Sequence, residues 1–268
     1  MSIKVGTELA GGLKIGTEIV GGMKLGTEII YQSATPLPAG TFYTLDGFTD
    51  SLYTVSKEGV VARVGSATAF GVNETTPSGL AWDGSTLFMV GRGNDALYRL
   101  DRTTGIATRV DPALSQFGAS EGGPQGLSWD GRFLRMFGFT SRGFYTVART
   151  TSRATQIARL ANAYRRALVD LTTVGDTHYA LDDTNDRLIS ITNNGTITPR
   201  TVTRFGVGLV SPRGIAYDGS DLYVVGLAGA SQSLFTVNAT TGVATKVADL
   251  GGALRGGVIN AVGLEWVP

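Results

Sequence analysis

GLAWDG (79–84), GLSWDG (126–131), GIAYDG (214–219) and GLEWVP (263–268) are variants of one hexapeptide. Their spacings are 47, 88 and 49 residues, and the middle interval is two units long, with RALVDLTTVGD (166–176) standing where the missing copy is due. Every copy but the last is followed by an alternating apolar run: LFMVG (87–91), LRMFG (134–138), HYALD (178–182) and LYVVG (222–226). A third run follows, ALYRL (96–100), GFYTV (143–147), RLISI (187–191) and SLFTV (233–237), and then a turn and a fourth. Alternation of this kind marks half-buried strands. Four strands at a period of about 45 residues is the arithmetic of a β-propeller blade.

The ends of the repeat region give the blade count. FYTLD (42–46), SLYTV (51–55) and VVARVG (60–65) read as second, third and fourth strands with no first strand before them, and AVGLEWVP (261–268) supplies it. The expected fold is an all-β five-bladed propeller over 41–268 whose C-terminal strand closes the first blade, leaving no open sheet edge. Trp82, Trp129, Trp266 and Tyr217 share one position of the first strand, and Tyr53, Tyr98, Tyr145 and Phe235 share one of the third. Rings of that size are expected to fill the space between blades. Phe70, Phe117 and Phe205 each stand nine residues before a blade glycine, with Leu254 in the matching place before Gly263, and read as plugs over the blade interfaces.

The first thirty residues carry a different repeat, IKVGTELAGG, LKIGTEIVGG and MKLGTEIIYQ. Alternation within each unit predicts a short antiparallel β-meander with loops at the Gly-Gly steps, Leu9 opposite Leu13 and Val5 opposite Thr17. A small sheet with one apolar face needs a partner surface. Ile3, Val5, Leu9, Leu13, Ile15, Ile19, Met23, Leu25 and Ile29 are therefore the expected docking or oligomerisation residues of segment 1–31, followed by a Pro-containing linker over 32–40 with Pro36 and Pro38.

Charge and composition limit the chemistry. Lys plus Arg (23) and Asp plus Glu (22) nearly cancel, so no strong field draws in nucleic acid. No run approaches the ~20 apolar residues of a membrane span, and no secretory leader is readable at the N-terminus. There is no cysteine and a single histidine, His178, which excludes thiolate nucleophiles and sites needing several imidazoles. The Asp182 to Asp186 cluster lacks the loop pattern of a calcium site. The expectations are no metal, no cofactor and no enzyme activity. The longer loops, 66–78, 111–125, 203–213 and 251–261, all fall at one end of the ring, and a long-loop face is the default ligand surface. Residues entering the first strands there, Ser78, Gln125, Arg166 and Arg213, are the candidate ligand-binding set at the central mouth.

LYRLDRTTGIATRV and SLFTVNATTGVATKV make region 41–268 resemble bacterial and viral propellers with "GLA-D-G-LY … LY-ID-TTG-AT-VG" repeats. The K-[VIL]-G-T units at the N-terminus are similar to short repeats at the ends of tailed-phage structural proteins. Together the resemblances imply a virion structural protein on the capsid or tail surface, anchored to other virion proteins through residues 1–31. Its propeller would face outward for decoration or for binding a host-surface glycan or protein. The alternative is a free lectin-like propeller with repeated shallow sites between blades. A homo-oligomer formed through the glycine-striped sheet fits either.

Overall fold

The computed structural model describes residues 40–268 except 66–69, 115, 119–120, 162–163, 165–167, 200–203, 207, 230 and 251–260, together with the strands at 4–5, 8–9, 23–25 and 28–31. The chain divides into two compact units, Met1–Pro38 and Ala39–Pro268.

In the second unit the repeat becomes five four-stranded antiparallel sheets, four of them built from strands consecutive in sequence. Blade two is Pro77–Trp82, Leu87–Gly91, Ala96–Leu100 and Ala107–Arg109. Blade three is Pro124–Trp129, Leu134–Gly138, Gly143–Val147 and Ala154–Arg159. Blade four is Leu168–Val174, Thr177–Asp182, Arg187–Ile191 and Ile197–Pro199, and blade five is Leu209–Tyr217, Leu222–Ala228, Ser231–Val237 and Ala244–Asp249. Blade one combines Ala261–Val267 with Thr41–Asp46, Ser51–Val55 and Val61–Arg63, and Val267 pairs with Thr41, Trp266 with Phe42 and Ala261 with Asp46. The first strands of neighbouring blades lie side by side all the way round, which makes an all-β five-bladed propeller closed by its C-terminal strand.

The inner strands approach so closely because of what they lack. A β-carbon on Gly79 would stand 2.6 Å from the backbone of Gly126, and one on Gly214 would stand 2.6 Å from that of Gly263. Each first strand also slips register at this point, between Pro77 and Gly79, Gln125 and Leu127, Leu168 and Leu171, Val210 and Gly214, and Val262 and Leu264. Such bulges turn a backbone amide out of the ladder.

Apolar clusters fill the gaps between blades. One joins Phe42 and Leu264 of blade one to Ala216, Tyr223 and Val225 of blade five. Another joins Ala81, Phe88 and Leu97 of blade two to Leu127, Met136 and Tyr145 of blade three, with Trp129 against it. Phe70, Phe117 and Phe205 are fully buried, as expected of plugs, and Leu254 lies outside the described residues. No described helix is long and apolar enough to cross a membrane.

The first unit contains antiparallel strand pairs, but its register corrects the expectation. Lys4 pairs with Leu9 and Val5 with Glu8, and Leu25 pairs with Glu28 and Lys24 with Ile29. Both strands of a pair thus belong to one decapeptide, separated by Gly6-Thr7 or Gly26-Thr27, whereas the reading from sequence placed the loops at Gly-Gly between units. A two-residue connection led by glycine suits a hairpin at least as well as a three-residue one; the Gly-Gly steps lie outside the described residues. Of the expected docking residues, Val5, Leu9, Met23, Leu25 and Ile29 lie in these strands; Ile3, Leu13, Ile15, Ile19 and the linker 32–39 lie outside the described residues.

Candidate functional site

Three of the four expected mouth residues lie among the described residues. Ser78 is buried in the first strand of blade two, and its hydroxyl donates at 2.6 Å to the carbonyl of Pro124, tying blade two to blade three. Gln125 is buried in the first strand of blade three. Arg213 is half-buried in blade five, where its charge counters the burial that raises the pKa of Asp183. Arg166 lies outside the described residues.

On the axis itself a carboxylate replaces a glycine. Four blades carry Gly79, Gly126, Gly214 and Gly263 where blade four has Asp170, and a β-carbon on Gly126 would meet the Asp170 Cα at 2.8 Å. The side chain is fully buried, and Oδ2 accepts from the amides of Ile215 (2.9 Å) and Leu264 (3.2 Å), each the residue following a blade glycine. Oδ1 has no hydrogen-bond partner. Burial pushes the Asp170 carboxyl well above the usual range, against the pull of the amides of Ile215, Leu171, Leu264 and Leu127. Glu265 of blade one is raised as well, by burial first, with Asp170 adding to the rise and the Trp82 amide opposing it. Among the described residues no group of three His, Cys, Asp or Glu side chains is placed to hold a metal.

At the long-loop end four blades use one buried carboxylate each to cap the turn between strands two and three. In blade two, Glu74 accepts from the amides of Gly93 (2.8 Å) and Asn94 (3.1 Å) and from the Tyr98 hydroxyl (3.2 Å). In blade three, Glu121 accepts from the amides of Thr140 (3.0 Å) and Ser141 (3.1 Å) and from the Tyr145 hydroxyl (3.0 Å). Both glutamates occupy space opened by glycine, since a β-carbon on Gly91 or Gly138 would lie 2.2 Å from the carboxyl carbon. Burial, then the Glu74 charge, pushes the Tyr98 phenol up to about 12. Blades one and four cap with their own strand-two residues, Asp46 and Asp182; Asp182 accepts from Asn185 and Arg187, so the acidic cluster there is a turn. In blade five Leu209 fills the corresponding gap beside Gly226. Glu121→Ala is expected to cost about 2–4 kcal/mol in urea unfolding, because two amides and a phenol lose their acceptor in a buried site. An unchanged unfolding midpoint would show that the carboxylate is dispensable.

At the opposite end the shared tryptophans meet cations from the turns between strands three and four. Arg102 lies 4.4 Å over Trp82, Arg149 5.3 Å over Trp129 and Lys57 4.7 Å over Trp266. Arg149 also reaches Asp83 of blade two at 2.5 Å, and Lys57 pairs with Asp218 of blade five, so each stitches neighbouring blades. Burial would raise Asp83, but the amides of Thr86 and Ser85 and the Arg149 guanidinium hold it below the usual carboxylate range. In blade four Thr173 stands in the tryptophan place and a polar chain substitutes. Buried His178 contacts Thr173 through Nδ1 and Asn193 through Nε2, both at 2.9 Å, and Phe144 meets its ring edge-on. Burial lowers its pKa, which favours the neutral imidazole.

The same end bears two equivalent grooves. That of blade five encloses about 380 Å³ and that of blade three about 320 Å³, and each is floored by a cross-strand threonine pair, Thr236 with Thr245 and Thr146 with Thr155. Around the blade three groove stand Trp129, Arg132, Phe133, Arg149 and Arg153. This surface was missed by the reading from sequence, and in blade three it presents cations, a phenyl ring and threonine hydroxyls to solvent.

No protein-family model matches the chain, and no curated protein matches it. Solved structures do. A nidogen/laminin complex structure aligns over 85% of this chain and 98% of the matched one at 11% identity with a TM-score of 0.53. Virginiamycin B lyase from Staphylococcus aureus aligns over 81% and 72% at 11% identity and 0.47, and Myxococcus xanthus glutaminyl cyclase over 84% and 73% at 11% and 0.48. The expectation that the chain is not an enzyme is corrected: the matched structures include a lyase and a cyclase, and a fold by itself does not decide activity. At such identities the likeness bears on the fold alone, and the count of five blades comes from this chain's own sheets.

Proposed function

We propose that the chain is a phage virion structural protein whose N-terminal repeat anchors it to the capsid or tail and whose propeller serves as a binding and decorating body on the particle surface. The observation that carries this reading is the division into a unit of decapeptide strand pairs, Met1–Pro38, and a ring, Ala39–Pro268. Every strand of the five blades comes from Ala39–Pro268, which supports a separate role for the K-x-G-T units. Their expected partners are other virion proteins, with a second copy of the chain as a further one.

The decisive experiment compares full-length protein with residues 35–268 in purified particles by mass spectrometry. The full chain is expected in particles at a fixed copy number and the truncated one is expected to be absent, although both fold. Incorporation of the truncated chain at the same copy number would overturn the anchoring role.

The second reading, a free lectin-like propeller, is favoured by the recurrence of one groove on blades three and five. Under it the truncation leaves glycan binding intact and the full-length chain is found in no particle.

A further inference from the structure

We infer that the groove of blade three is a binding site for an acidic saccharide, a sugar ring carrying a carboxylate. This rests on the surface-binding part of the proposed function and names the ligand class.

The ring contains its own control. Blades three and five present the same cradle, with matching threonine floors and matching turns. The walls differ. Blade three has Arg132, Phe133, Arg149 and Arg153 where blade five has Ser220, Asp221, Ala239 and Val243. Since blade five closes without them, a propeller blade does not need three cations and a phenyl at these positions. Arg149 has an architectural part, over Trp129 and against Asp83. Arg132 and Arg153 have no acidic partner among the described residues, and both are exposed. Phe133 is 37% exposed, and the Arg132 guanidinium stands 4.9 Å from its ring centre.

These groups together select a ligand. A planar guanidinium with free donors matches a carboxylate, which it can bind through two hydrogen bonds. An exposed phenyl beside it suits the apolar C–H face of a pyranose. The hydroxyls of Thr146, Thr150 and Thr155 give the donors and acceptors that sugar hydroxyls require. The volume, about 320 Å³, lies at the small end of ligand sites, which suits about one or two sugar rings and not a long polymer. With a net charge of +1 and Asp83 and Asp130 in the neighbouring turns, the surface offers no extended positive track for nucleic acid.

The test is titration calorimetry of the full chain in solution with digalacturonate and sialyllactose, with a carboxyl-reduced neutral disaccharide and inorganic phosphate as comparisons. At least one acidic sugar is expected to bind, at least tenfold more tightly than the neutral one, and phosphate is expected not to compete. The variant Arg132→Ser, Phe133→Asp, Arg153→Val transplants the blade five residues, so it is expected to keep its melting temperature and lose at least tenfold in affinity. Arg132→Lys, which keeps the charge and removes the planar fork, is expected to lose part of it. Binding of neither acidic sugar, equal binding of the neutral one, phosphate binding alone, or an unchanged triple variant would each overturn the assignment. The titration uses free protein, so its failure leaves particle anchoring untouched, and a failure of anchoring leaves the groove untouched.

Discussion

Removal of residues 261–268 is expected to abolish cooperative folding of the ring. The lost strand carries buried Ala261, Leu264 and Val267, and Trp266, which stands 4.7 Å from Phe42 and beneath Lys57. Burial of each large apolar side chain contributes about 1.5–3 kcal/mol. The strand also accepts the Thr44 hydroxyl at the Gly263 carbonyl (2.8 Å) and sits between the first strands of blades five and two, so its loss opens the ring on both sides. Against a typical net stability of about 5–15 kcal/mol, this deficit is enough to unfold the domain. The six residues of Thr41–Asp46, all buried in the intact ring, would then form an uncovered edge that invites association. Urea unfolding and size-exclusion chromatography are expected to show a broad, early transition and aggregates. Addition of the missing peptide in trans is expected to restore part of the native signal. A truncated chain that stays monomeric and unfolds at the original midpoint would contradict the closure.

The second large effect is expected at the axis. Asp170→Ala removes the acceptor for Ile215 and Leu264 and is expected to cost about 3–5 kcal/mol, or about 10 °C in melting temperature. Asp170→Asn keeps an oxygen for the amides and removes the charge, so it separates the two contributions. The native pKa of Asp170 is raised, so the favourable part of its linkage is complete below the ordinary carboxylate pKa and is lost as pH rises through the folded value. Asparagine is therefore expected to flatten the loss of stability on the alkaline side. Asp83, Asp130 and Asp218 and the buried His178 have lowered values, so their contributions stand at higher pH and fall away on acidification in both proteins. Unfolding free energies measured across pH check this, and a slope identical in Asp170→Asn would show that the axial carboxyl does not titrate differently on folding.

Much of the ring was legible because a blade is a local object. Its four strands and turns follow one another within one period, so glycine, tryptophan and alternation recur in step and mark each strand. The end effects also lie in the sequence: three strands without a first at one terminus and a first without the others at the far terminus. Asp170 was visible as a departure from the glycine pattern, but its role depends on the amides of Ile215 and Leu264, which only ring closure brings to it. The capping glutamates had a signal too. FGVNETTPSG and FGASEGGPQG share a glutamate four residues after the phenylalanine, paired with a glycine at the end of strand two. That pairing is tertiary, and glycine at a strand end reads first as a turn residue.

The burial of the expected mouth residues Ser78 and Gln125 was not legible for a different reason. The bulges between Pro77 and Gly79 and between Gln125 and Leu127 break the two-residue alternation where Ser78 and Gln125 sit, so their exposure cannot be counted along the strand. In the N-terminal repeat, Gly-Gly and Gly-Thr steps both satisfy the requirements of a hairpin loop, and the residues alone do not rank them. The charged walls of the blade three groove, Arg132, Arg149 and Arg153, are turn residues on two separate connections, outside the strand alternation that supplies its threonine floor. Its signal was the substitution of arginine and phenylalanine at positions that blade five fills with Ser220, Asp221 and Val243.

The pairing of Thr41 with Val267 sets an order of assembly during synthesis. Blades two to five can each complete within one stretch of nascent chain, but blade one is begun before them and finished after them. Its contacts bridge more than two hundred residues, which places a large loop-closure entropy on the last step and makes that step slow. Until then the strand at 41–46 waits with its pairing edge uncovered, so ribosome stalling or early release upstream of residue 261 yields the most aggregation-prone form of this chain.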